Sequence, residues 1–414
     1  MQITRRKKLF EILPDNSITL FFSGKAPYKV GDEKYTFSVD RNFYYLTQLD
    51  KENMVLALIK TNQTTSELLF MERYDEEEAK WIGGRLSPEA ASEISGIDAI
   101  YWAEELLATI GEQIARYLNR STSLDVYADF TKQEPYQSDN EATLFTRELL
   151  KQYPYIELKN VAPLITSLRL IKDADEIKNL EKAIQITNKG ILNMLANAQA
   201  GMSENQLEAY FDFVLKTNGC LHSFPSIVAG AKNASILHYS DNNQKVKDRS
   251  LVLCDLGAAY EYMNGDISRT FPINGTFTKR QKEIYSVVLA ANKYIMSLVK
   301  PGITLRELNN QLIAFYEVEC KKIGLLKHGK TIDDYYWHGV SHMLGLETHD
   351  VSLSNYELEE GNVFTIEPGL YIEEESIGIR IEDNVLVTKD GCINLSADII
   401  KEVSEIEAFM AKHK

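Results

Sequence analysis

The first part of the chain alternates between short apolar runs and amphipathic stretches. The apolar runs have the length and composition of β-strands, and they read S-I-T-L-F-F-S, M-V-L-A-L-I-K, E-L-L-F-M-E and S-L-D-V-Y-A-D-F between residues 17 and 130. Residues 103–118 place apolar side chains on one helix face, namely Leu106, Leu107, Ile110, Ile114 and Leu118. A further helix is predicted over residues 139–152. Alternating strands and helices predict an α/β domain.

This domain is expected to end where Pro154 and Pro163 coincide with a change of pattern, near residue 165. We assign residues 1–168 to an N-terminal α/β domain and residues 169–414 to a second domain. Residues 1–168 contain no histidine and no cluster of metal-type ligands. We therefore expect a structural or oligomerising domain that shapes access to a neighbouring site.

A few residues of the N-terminal domain are nevertheless of types that often occur on functional surfaces. Asp40 and Arg41 precede the aromatic run 43–45. Arg85 follows a Gly-Gly pair and could face a substrate, although a surface loop explains it equally well.

The second domain begins with a pair of helices. The first has one buried face, formed by Ile177, Leu180, Ile184, Ile191 and Leu195. The second starts with a capping box of Ser203 and Gln206 and is expected to end before Gly219. Strands are predicted to follow.

The order of two helices followed by strands then occurs a second time along the chain. A third helix starts with the box of Thr278 and Gln281, and a fourth, capped by Thr304 and Glu307, ends before Gly324. The third helix is expected to bury Ile284, Val288, Ala291, Ile295 and Leu298. The segment Gly201, Ser203, Leu207 matches Gly302, Thr304, Leu308 at a constant offset of 101 residues. This is an internal repeat of helix, helix and strands.

The strands repeat as well. The runs R-S-L-V-L-C-D-L-G-A-A-Y and G-N-V-F-T-I-E-P-G-L-Y each lead through an apolar strand to an acidic residue, one further residue and a glycine. Asp255 and Glu367 therefore occupy equivalent positions, and a pseudo-twofold axis would bring the two carboxylates together. Asp266 follows Asp255 by eleven residues, so a hairpin can set them opposite each other on adjacent strands, with a bulge at Asn264-Gly265.

Residues 338–382 hold three of the seven histidines together with Glu367 and Glu382, which we expect at mid-strand positions. His342 follows His338 by four residues, which suits one face of a helix, but the glycines nearby make a strand or loop equally plausible. Four histidines, His238, His338, His342 and His349, accompany four carboxylates. Neutral imidazoles with carboxylates form a ligand set for Mn, Co or Zn.

Composition narrows the function classes further. The 414 residues, 44% hydrophobic and 25% charged, suffice for two domains with cores. A net charge of -15 argues against nucleic acid as a partner. The basic start is followed by L-F-E-I-L-P, which breaks any signal-peptide core, and no apolar run reaches the length of a membrane span. Four scattered cysteines, Cys220, Cys254, Cys320 and Cys392, indicate reduced thiols in a cytoplasmic enzyme.

Taken together, the motifs resemble those of the proline-specific metallopeptidases of the pita-bread fold, the group that holds aminopeptidase P and prolidase. The resemblance covers residues 169–405 and is carried by L-H-Y-S-D-N, L-C-D-L-G-A-A-Y, D-I-S-R-T-F-P, H-G-V-S-H-M-L-G-L-E-T-H-D, T-I-E-P-G and I-R-I-E-D. It implies a pita-bread catalytic domain with a pseudo-twofold duplication, an α/β (α+β) fold. The first 168 residues look, more weakly, like the extra N-terminal domain of aminopeptidase P.

The resemblance also implies a centre of two divalent metal ions, most suitably Mn, with Co or Zn as alternatives. Asp255 would bind one ion through both oxygens, Asp266 and Glu382 would bridge the pair, and His342 and Glu367 would bind the second ion. Two such ions lower the pKa of a shared water enough to give a bridging hydroxide near neutral pH. Ser268 stands where the family more commonly has threonine.

The remaining site residues are expected to handle protons and substrate. Glu367 could also accept the proton of the water and pass it to the leaving nitrogen. By resemblance, His238 and His349 flank the scissile bond and stabilise the oxyanion, while His338 and Tyr371 line the proline side. Arg380, two residues before Glu382 and so on the same strand face, is expected to hold a carboxylate.

The function expected is that of an Xaa-Pro aminopeptidase, which removes the N-terminal residue from peptides with proline second. Prolidase, which cleaves Xaa-Pro dipeptides, is the alternative, and a non-catalytic protein-binding module of the same fold is a remote one because such relatives lose ligands. We expect peptide substrates, no nucleic acid or membrane partner, and a homo-oligomer, either a dimer or a tetramer.

Overall fold

The structure is a computed structural model that describes residues 1–62, 64–73, 76–84, 86–119 and 123–413. The chain divides into two compact units, Met1–Arg169 and Leu170–Lys414. Arg85, singled out above as a position that could face a substrate, lies outside the described residues.

Unit 1 contains a mixed sheet flanked by helices. Its helices are α1 (Gln2–Ile12), α2 (Arg41–Thr47), α3 (Glu76–Ile82), α4 (Pro88–Ser95), α5 (Leu106–Leu118), α6 (Glu141–Gln152) and α7 (Ala162–Arg169). Its strands are β1 (Ser17–Phe22), β2 (Tyr28–Val30), β3 (Glu33–Lys34), β4 (Val55–Lys60), β5 (Thr65–Met71), β6 (Ile100–Trp102), β7 (Leu124–Ala128) and β8 (Ile156–Asn160). The predicted α/β character is confirmed.

The main sheet of unit 1 has the strand order β6-β5-β4-β1-β7-β8. β1 pairs antiparallel with β4 and parallel with β7, so antiparallel and parallel pairing meet at its centre. The predicted face of α5 packs on this sheet, where Ile110 and Ile114 are fully buried. The aromatic run 43–45 lies in α2 and is buried, and Asp40 caps α2 by accepting a hydrogen bond from the Phe43 amide. These residues are therefore structural within unit 1.

Unit 2 has the repeated helix pairs. Its helices are α8 (Ala174–Asn197), α9 (Glu204–Thr217), α10 (Lys279–Leu298), α11 (Leu305–Lys322) and α12 (Val403–Lys412). Its strands are β9 (Leu221–His222), β10 (Ile227–Gly230), β11 (Leu251–Leu256), β12 (Ala258–Tyr260), β13 (Met263–Asn264), β14 (Ile267–Pro272), β15 (Val363–Ile366), β16 (Gly369–Ile372), β17 (Ile377–Arg380), β18 (Asp383–Val387) and β19 (Cys392–Asn394). No helix in the described part of the chain is both long and apolar enough to cross a bilayer.

The duplication is visible in the backbone. Gly201 and Gly302, one in each copy, adopt φ of 91° and 88°, a conformation open mainly to glycine. Each is followed by an N-cap residue that pairs in an isolated antiparallel bridge, Ser203 with Lys245 and Thr304 with Glu357. The predicted capping boxes form at α10 and α11, where Gln281 and Glu307 accept hydrogen bonds from their cap residues. The internal repeat is therefore structural, as predicted.

The strands of the two copies also correspond. In the first copy β10 runs antiparallel to β11, with Ile227 opposite Asp255 and Gly230 opposite Val252. In the second copy residues 340–343 run along β15 in the same way, because the Glu367 amide donates to Val340 O and Met343 bridges to Phe364. His342 therefore occupies the place that Ala229 has in the first copy.

Candidate metal centre

The acidic residues of interest lie where strands of the two copies begin or end. Asp255 is the penultimate residue of β11, and Asp266 directly precedes β14. Glu367 directly follows β15, and Glu382 lies between β17 and β18. The expectation that Glu367 and Glu382 are mid-strand residues is wrong. At a strand end the backbone turns away from the ladder, which lets a carboxylate project into a cavity.

The predicted hairpin between Asp255 and Asp266 needs a correction of register. β11 and β14 do pair antiparallel, but Asp255 lies opposite Ser268, two residues after Asp266. β12 and β13 continue the same register, with Tyr260 opposite Met263, so the turn is centred on Glu261-Tyr262, one residue later than the prediction assumed, and no bulge shifts the register at Asn264-Gly265. Asp255 and Asp266 are thus diagonal neighbours on one face rather than a directly opposed pair.

The glycine that follows each acidic residue is needed for close packing. A Cβ on Gly257 would lie 1.9 Å from the carbonyl oxygen of Gly265, and one on Gly369 would lie 2.6 Å from the hydroxyl of Tyr371. No larger residue fits at either position without moving its neighbour. The glycine of the repeated pattern is therefore required because the chain packs too tightly beside each carboxylate to accommodate a side chain.

The structure brings the predicted ligands together. Ligand atoms of Asp266, His342 and Glu382 all lie within 4.8 Å of one another. His342 Nε2 is 3.3 Å from Asp266 Oδ2 and 3.6 Å from Glu367 Oε1. Asp255 lines the same cavity. His342 lies in an irregular segment, which agrees with the loop or strand alternative and excludes the helix.

Several observations show that this donor set fits divalent cations. Asp255 Oδ1 is buried and has no hydrogen-bond partner among the described residues. Burial, together with neighbouring carboxylates, raises the pKa of Asp266 and of Glu382 well above the usual carboxyl range. Burial also raises the pKa of Glu367. Carboxylates crowded this way repel one another unless cations neutralise them, and carboxylates with one imidazole suit a divalent transition metal.

A hydrogen-bonded network supports these carboxylates from behind. Arg380 is buried and donates from Nη2 to Asp255 Oδ2 at 2.7 Å and from Nε to Ser268 Oγ at 2.7 Å. Ser268 Oγ in turn donates to Glu382 Oε2 at 2.8 Å. One arginine and one serine therefore connect a carboxylate of the first copy with one of the second, which fixes their separation.

His338 is neutral mainly because it is buried, and Arg380 contacts it through the hydroxyl of Tyr371. Arg380 Nη1 donates to the hydroxyl of Tyr371 at 3.0 Å, and that hydroxyl lies 2.8 Å from His338 Nε2. Since burial raises the pKa of Tyr371 to about 12, the phenol keeps its proton and donates it to Nε2. His338 Nδ1 then carries the ring hydrogen and donates it to Gly339 O at 2.7 Å. Burial, with the charge of Arg380 second, lowers the pKa of His338 to about 4, so the ring is neutral.

The other two histidines lie beside the ligands. The ring centres of His342 and His349 are 4.3 Å apart, and those of His349 and His238 are 6.5 Å apart. Burial, followed by the two neighbouring imidazoles, lowers the pKa of His349. His238 follows β10 and His349 follows residues 340–343, so these two side chains come from corresponding segments of the two copies.

A cavity of about 760 Å³ opens over this group of residues. Its lining includes the proposed ligands and histidines, together with an apolar wall made of Phe224, Pro225, Ile227 and Leu237. Among the sequence-predicted site residues, the structure places one outside the lining. Tyr371 is 1% exposed and supports His338 from behind, because its hydroxyl is taken up by the imidazole and Arg380.

Sequence reasoning missed two supporting residues. Ser268 has been described above, and Thr365 accepts a hydrogen bond from the His342 amide at 3.1 Å and donates to Glu367 Oε1 at 3.4 Å. Both lie two positions from an acidic residue, in D-I-S and T-I-E, as Arg380 does in R-I-E. Side chains two residues apart in an extended chain share a face. This repeated spacing is the signal that could have found them.

Fold and site together define a metal-dependent hydrolase with a duplicated catalytic unit. Residues 178–389 match the model of metallopeptidase family M24, and residues 3–123 match the model of the aminopeptidase P N-terminal domain. The chain belongs to metallopeptidase family M24. The resemblance to the proline-specific metallopeptidases of the pita-bread fold, and the fold class that it implied, are confirmed.

Similar proteins match over the whole chain. The Xaa-Pro aminopeptidase of Haemophilus influenzae is 33% identical, with 98% of this chain and 96% of the relative covered. A solved Bacillus anthracis structure, provisionally described as an aminopeptidase P, is 44% identical with a TM-score of 0.96 and covers 100% of this chain and 98% of its own. Aminopeptidase P from Escherichia coli in its low-pH form is 31% identical with a TM-score of 0.90, at the same coverage.

Proposed function

We propose that this metallopeptidase is an Xaa-Pro aminopeptidase, which releases the N-terminal residue from peptides that have proline second. The observation that carries the proposal is that the acidic residues, His342 and the three neighbouring histidines surround one cavity with an apolar wall. Similarity over the full length to named Xaa-Pro aminopeptidases supports the same function.

The metal ligands that we propose are Asp255, Asp266, His342, Glu367 and Glu382, which would hold two divalent ions. Manganese is our first choice, with cobalt or zinc as alternatives. When bound, two such ions supply a nucleophilic water near neutral pH and polarise the scissile carbonyl. The buried Asp255 oxygen that lacks a partner among the described residues supports this assignment, because it is available to a cation.

Glu367 is the proposed proton carrier. Its carboxylate lies beside His342, 3.6 Å away, and is oriented by Thr365. Because burial raises its pKa, the carboxyl can hold a proton closer to neutral pH than an exposed glutamate could. Glu367 would accept the proton of the attacking water and deliver it to the leaving nitrogen.

His238 and His349 are the proposed stabilisers of the oxyanion. A neutral imidazole can donate one N–H, and the lowered pKa of His349 keeps it in the neutral form at pH 7. A hydrogen bond to the developing oxyanion is worth roughly 3 kcal/mol in enzymes of this kind of chemistry. Arg380 would act on the carboxylates that hold the metal rather than on the substrate.

The proline side is proposed to lie against His338. The nitrogen of an Xaa-Pro bond carries no hydrogen, so selection of proline depends on shape and apolar contact. A neutral His338 ring, held from behind by Tyr371, presents such a surface without a charge. We propose both residues as substrate-binding, with Tyr371 acting through His338.

Prolidase is the second candidate, since it would use the same ligands. Purified protein loaded with manganese should be compared on glycyl-prolyl-phenylalanine, glycyl-proline and the proline-free control glycyl-alanyl-phenylalanine. Release of glycine from the first peptide alone is expected, and it should cease when a chelator removes the metal. Turnover of glycyl-proline without turnover of the tripeptide would refute the aminopeptidase assignment and favour prolidase.

We further propose that residues 1–168 and 169–414 are the N-terminal and catalytic domains of a cytoplasmic homo-oligomer, dimeric or tetrameric. The four cysteines, none of them in a disulfide, are consistent with a reducing compartment. Light scattering of the purified protein measures the oligomeric state, and a monomer at micromolar concentration would contradict that part of the proposal.

A further inference from the structure

The segment that carries His238 is a loop in a strained conformation. This His238 loop, residues 230–244, begins at the last residue of β10 and brings Leu237, His238 and Ser240 to the cavity. Near its two ends Ala231 and Asn242 adopt φ of 53° and 44°, in the left-handed region that side chains other than glycine rarely enter. Such conformations persist only when surrounding contacts enforce them.

Several of those contacts come from one buried carboxylate, while Asn242 is also held by the Val228 amide, which donates to its Oδ1, and by Ser226 O, which accepts from its Nδ2. Glu204, the first residue of α9, is 0% exposed. Its Oε1 accepts hydrogen bonds from the Gly230 amide at 2.7 Å and from Asn233 Nδ2 at 2.8 Å. Its Oε2 accepts from the Tyr239 hydroxyl at 2.7 Å and from the Gln244 amide at 2.9 Å. Glu204 thus binds the start, the middle and the end of the His238 loop at once.

The hydrogen-bond donors around the Glu204 side chain require a carboxylate at this position. Four donors surround Glu204, and a glutamine there would turn its own NH₂ group toward one pair of them, leaving at least one backbone N–H buried without an acceptor. Gly230 is part of the fit, since a Cβ at this position would lie 2.9 Å from Val246 Cγ2. The position of Glu204 at a helix N-terminus also favours the negative charge.

Two further contacts hold the His238 loop in place beside the cavity. Tyr239, the residue after His238, packs in the same apolar cluster as Tyr371, whose hydroxyl contacts His338. Asn242 donates to Glu208 Oε2 at 2.9 Å, one turn along α9 from Glu204. The His238 loop is therefore fixed on one side by α9 and on the other by the apolar cluster that contains Tyr371, and His238 lies between these two contacts in the sequence.

We propose that Glu204 is a positioning residue for His238: it holds the strained His238 loop so that the imidazole stands opposite His349 across the cavity. The proposal rests on the proposed function, in which His238 contacts the reacting carbonyl. Glu204 is not itself among the residues that line the cavity, and none of the four hydrogen bonds described above joins it to a proposed metal ligand.

A double-mutant cycle tests this role. Glu204→Gln is expected to lower kcat roughly ten- to a hundredfold, with a smaller change in KM, because a displacement of about 1 Å at a catalytic group can cost about a hundredfold. In the His238→Ala background the same change is expected to cost less than about threefold, since the group that it positions is gone. Bound metal should be unchanged, and the exposed control Glu181→Gln on α8 should match the parent protein.

Several outcomes would overturn the proposal. Full kcat in Glu204→Gln, or an equal loss with and without His238, would mean that Glu204 does not act through His238. If Glu204→Gln does not fold, Tyr239→Phe removes one of the four hydrogen bonds and enters the same cycle, with a smaller expected loss. Hydrogen exchange provides a readout independent of activity: amides of the His238 loop should exchange faster in Glu204→Gln, and unchanged exchange would refute the anchoring even if the protein cleaves no Xaa-Pro peptide.

Discussion

Removal of metal is expected to make the stability of this protein fall as the pH rises. Asp266 and Glu382 are 4% and 1% exposed, and burial with nearby carboxylates raises the pKa of both. Without cations, the folded protein keeps protons on this group at pH values where the same carboxyls in the unfolded chain have lost theirs. The folded state then binds more protons than the unfolded state, so stability must fall as the pH rises.

The magnitude follows from linkage. One additional proton bound by the folded state corresponds to roughly 1–2 kcal/mol of lost stability for each pH unit above the ordinary carboxyl range near pH 4. For each proton that the folded protein retains across this range and the unfolded chain does not, the metal-free protein should lose roughly 3 kcal/mol between pH 5 and pH 7. For a domain of this size that loss lowers Tm by roughly 6–12 °C. Metal-loaded protein should not show it, because bound cations replace the protons and stabilise the folded state by mass action.

Calorimetry at pH 5, 6 and 7 tests the argument, on protein dialysed free of chelator and metal and on the same protein reloaded with manganese. The gap in Tm between the two forms should widen with pH. Glu382→Gln removes one carboxylate and should flatten the pH dependence of the metal-free form. A metal-free protein whose Tm is constant or rises from pH 5 to pH 7 would refute the reasoning, since it would show that the carboxylates do not share protons.

The remaining predictions concern single side chains. Asp266→Asn should abolish chelator-sensitive activity and weaken metal binding with little change in the circular dichroism spectrum; full activity would mean that the site is misassigned. Ser268→Ala should weaken metal binding about 10–100-fold by titration calorimetry, whereas Ser268→Thr, which keeps the hydroxyl, should retain it, and equal losses would contradict the role of that hydroxyl. Lys172→Met removes the ammonium that lies 2.8 Å from the carboxylate of Asp350, where both side chains are 1% exposed, and should cost about 3–5 kcal/mol in denaturant unfolding. Its control, the more exposed Lys322→Met, should cost no more than about 1 kcal/mol, and similar losses in both would argue against the buried pair.

The sequence predicted the parts of the fold that depend on local pattern. The capping boxes of Thr278 and Thr304 and the apolar face of α5 follow from spacing along the chain, so they could be read directly. The predicted pairing of Asp255 with Asp266 was wrong by two residues, because the turn is centred on Glu261-Tyr262, one residue later than assumed, and a strand pattern does not fix the position of a turn. Strand ends are similarly hard to place, which is why Glu367 and Glu382 were expected inside strands.

The candidate site was predicted unevenly for a related reason. Histidine is rare in this chain, with seven residues, and the carboxylates of the cavity lie in repeated or histidine-containing motifs, so the residues around the cavity were identified. Ser268 and Glu204 were not, since serine and glutamate are common and only the fold shows what they contact. Tyr371 was expected in the cavity wall, but its place behind His338 depends on the position of Arg380, which lies on a neighbouring strand.

The equivalence of His342 and Ala229 means that a symmetric scaffold carries an asymmetric set of donors. At this position the alanine of the first copy offers no metal ligand, whereas the histidine of the second copy supplies an imidazole nitrogen. Two ions held between the copies would therefore differ in affinity, and the ion next to the imidazole is favoured when a borderline cation is scarce. The two metal ions would bind stepwise. Protein given less metal than two ions per chain would therefore contain many molecules with one ion bound, rather than only molecules with two ions or none.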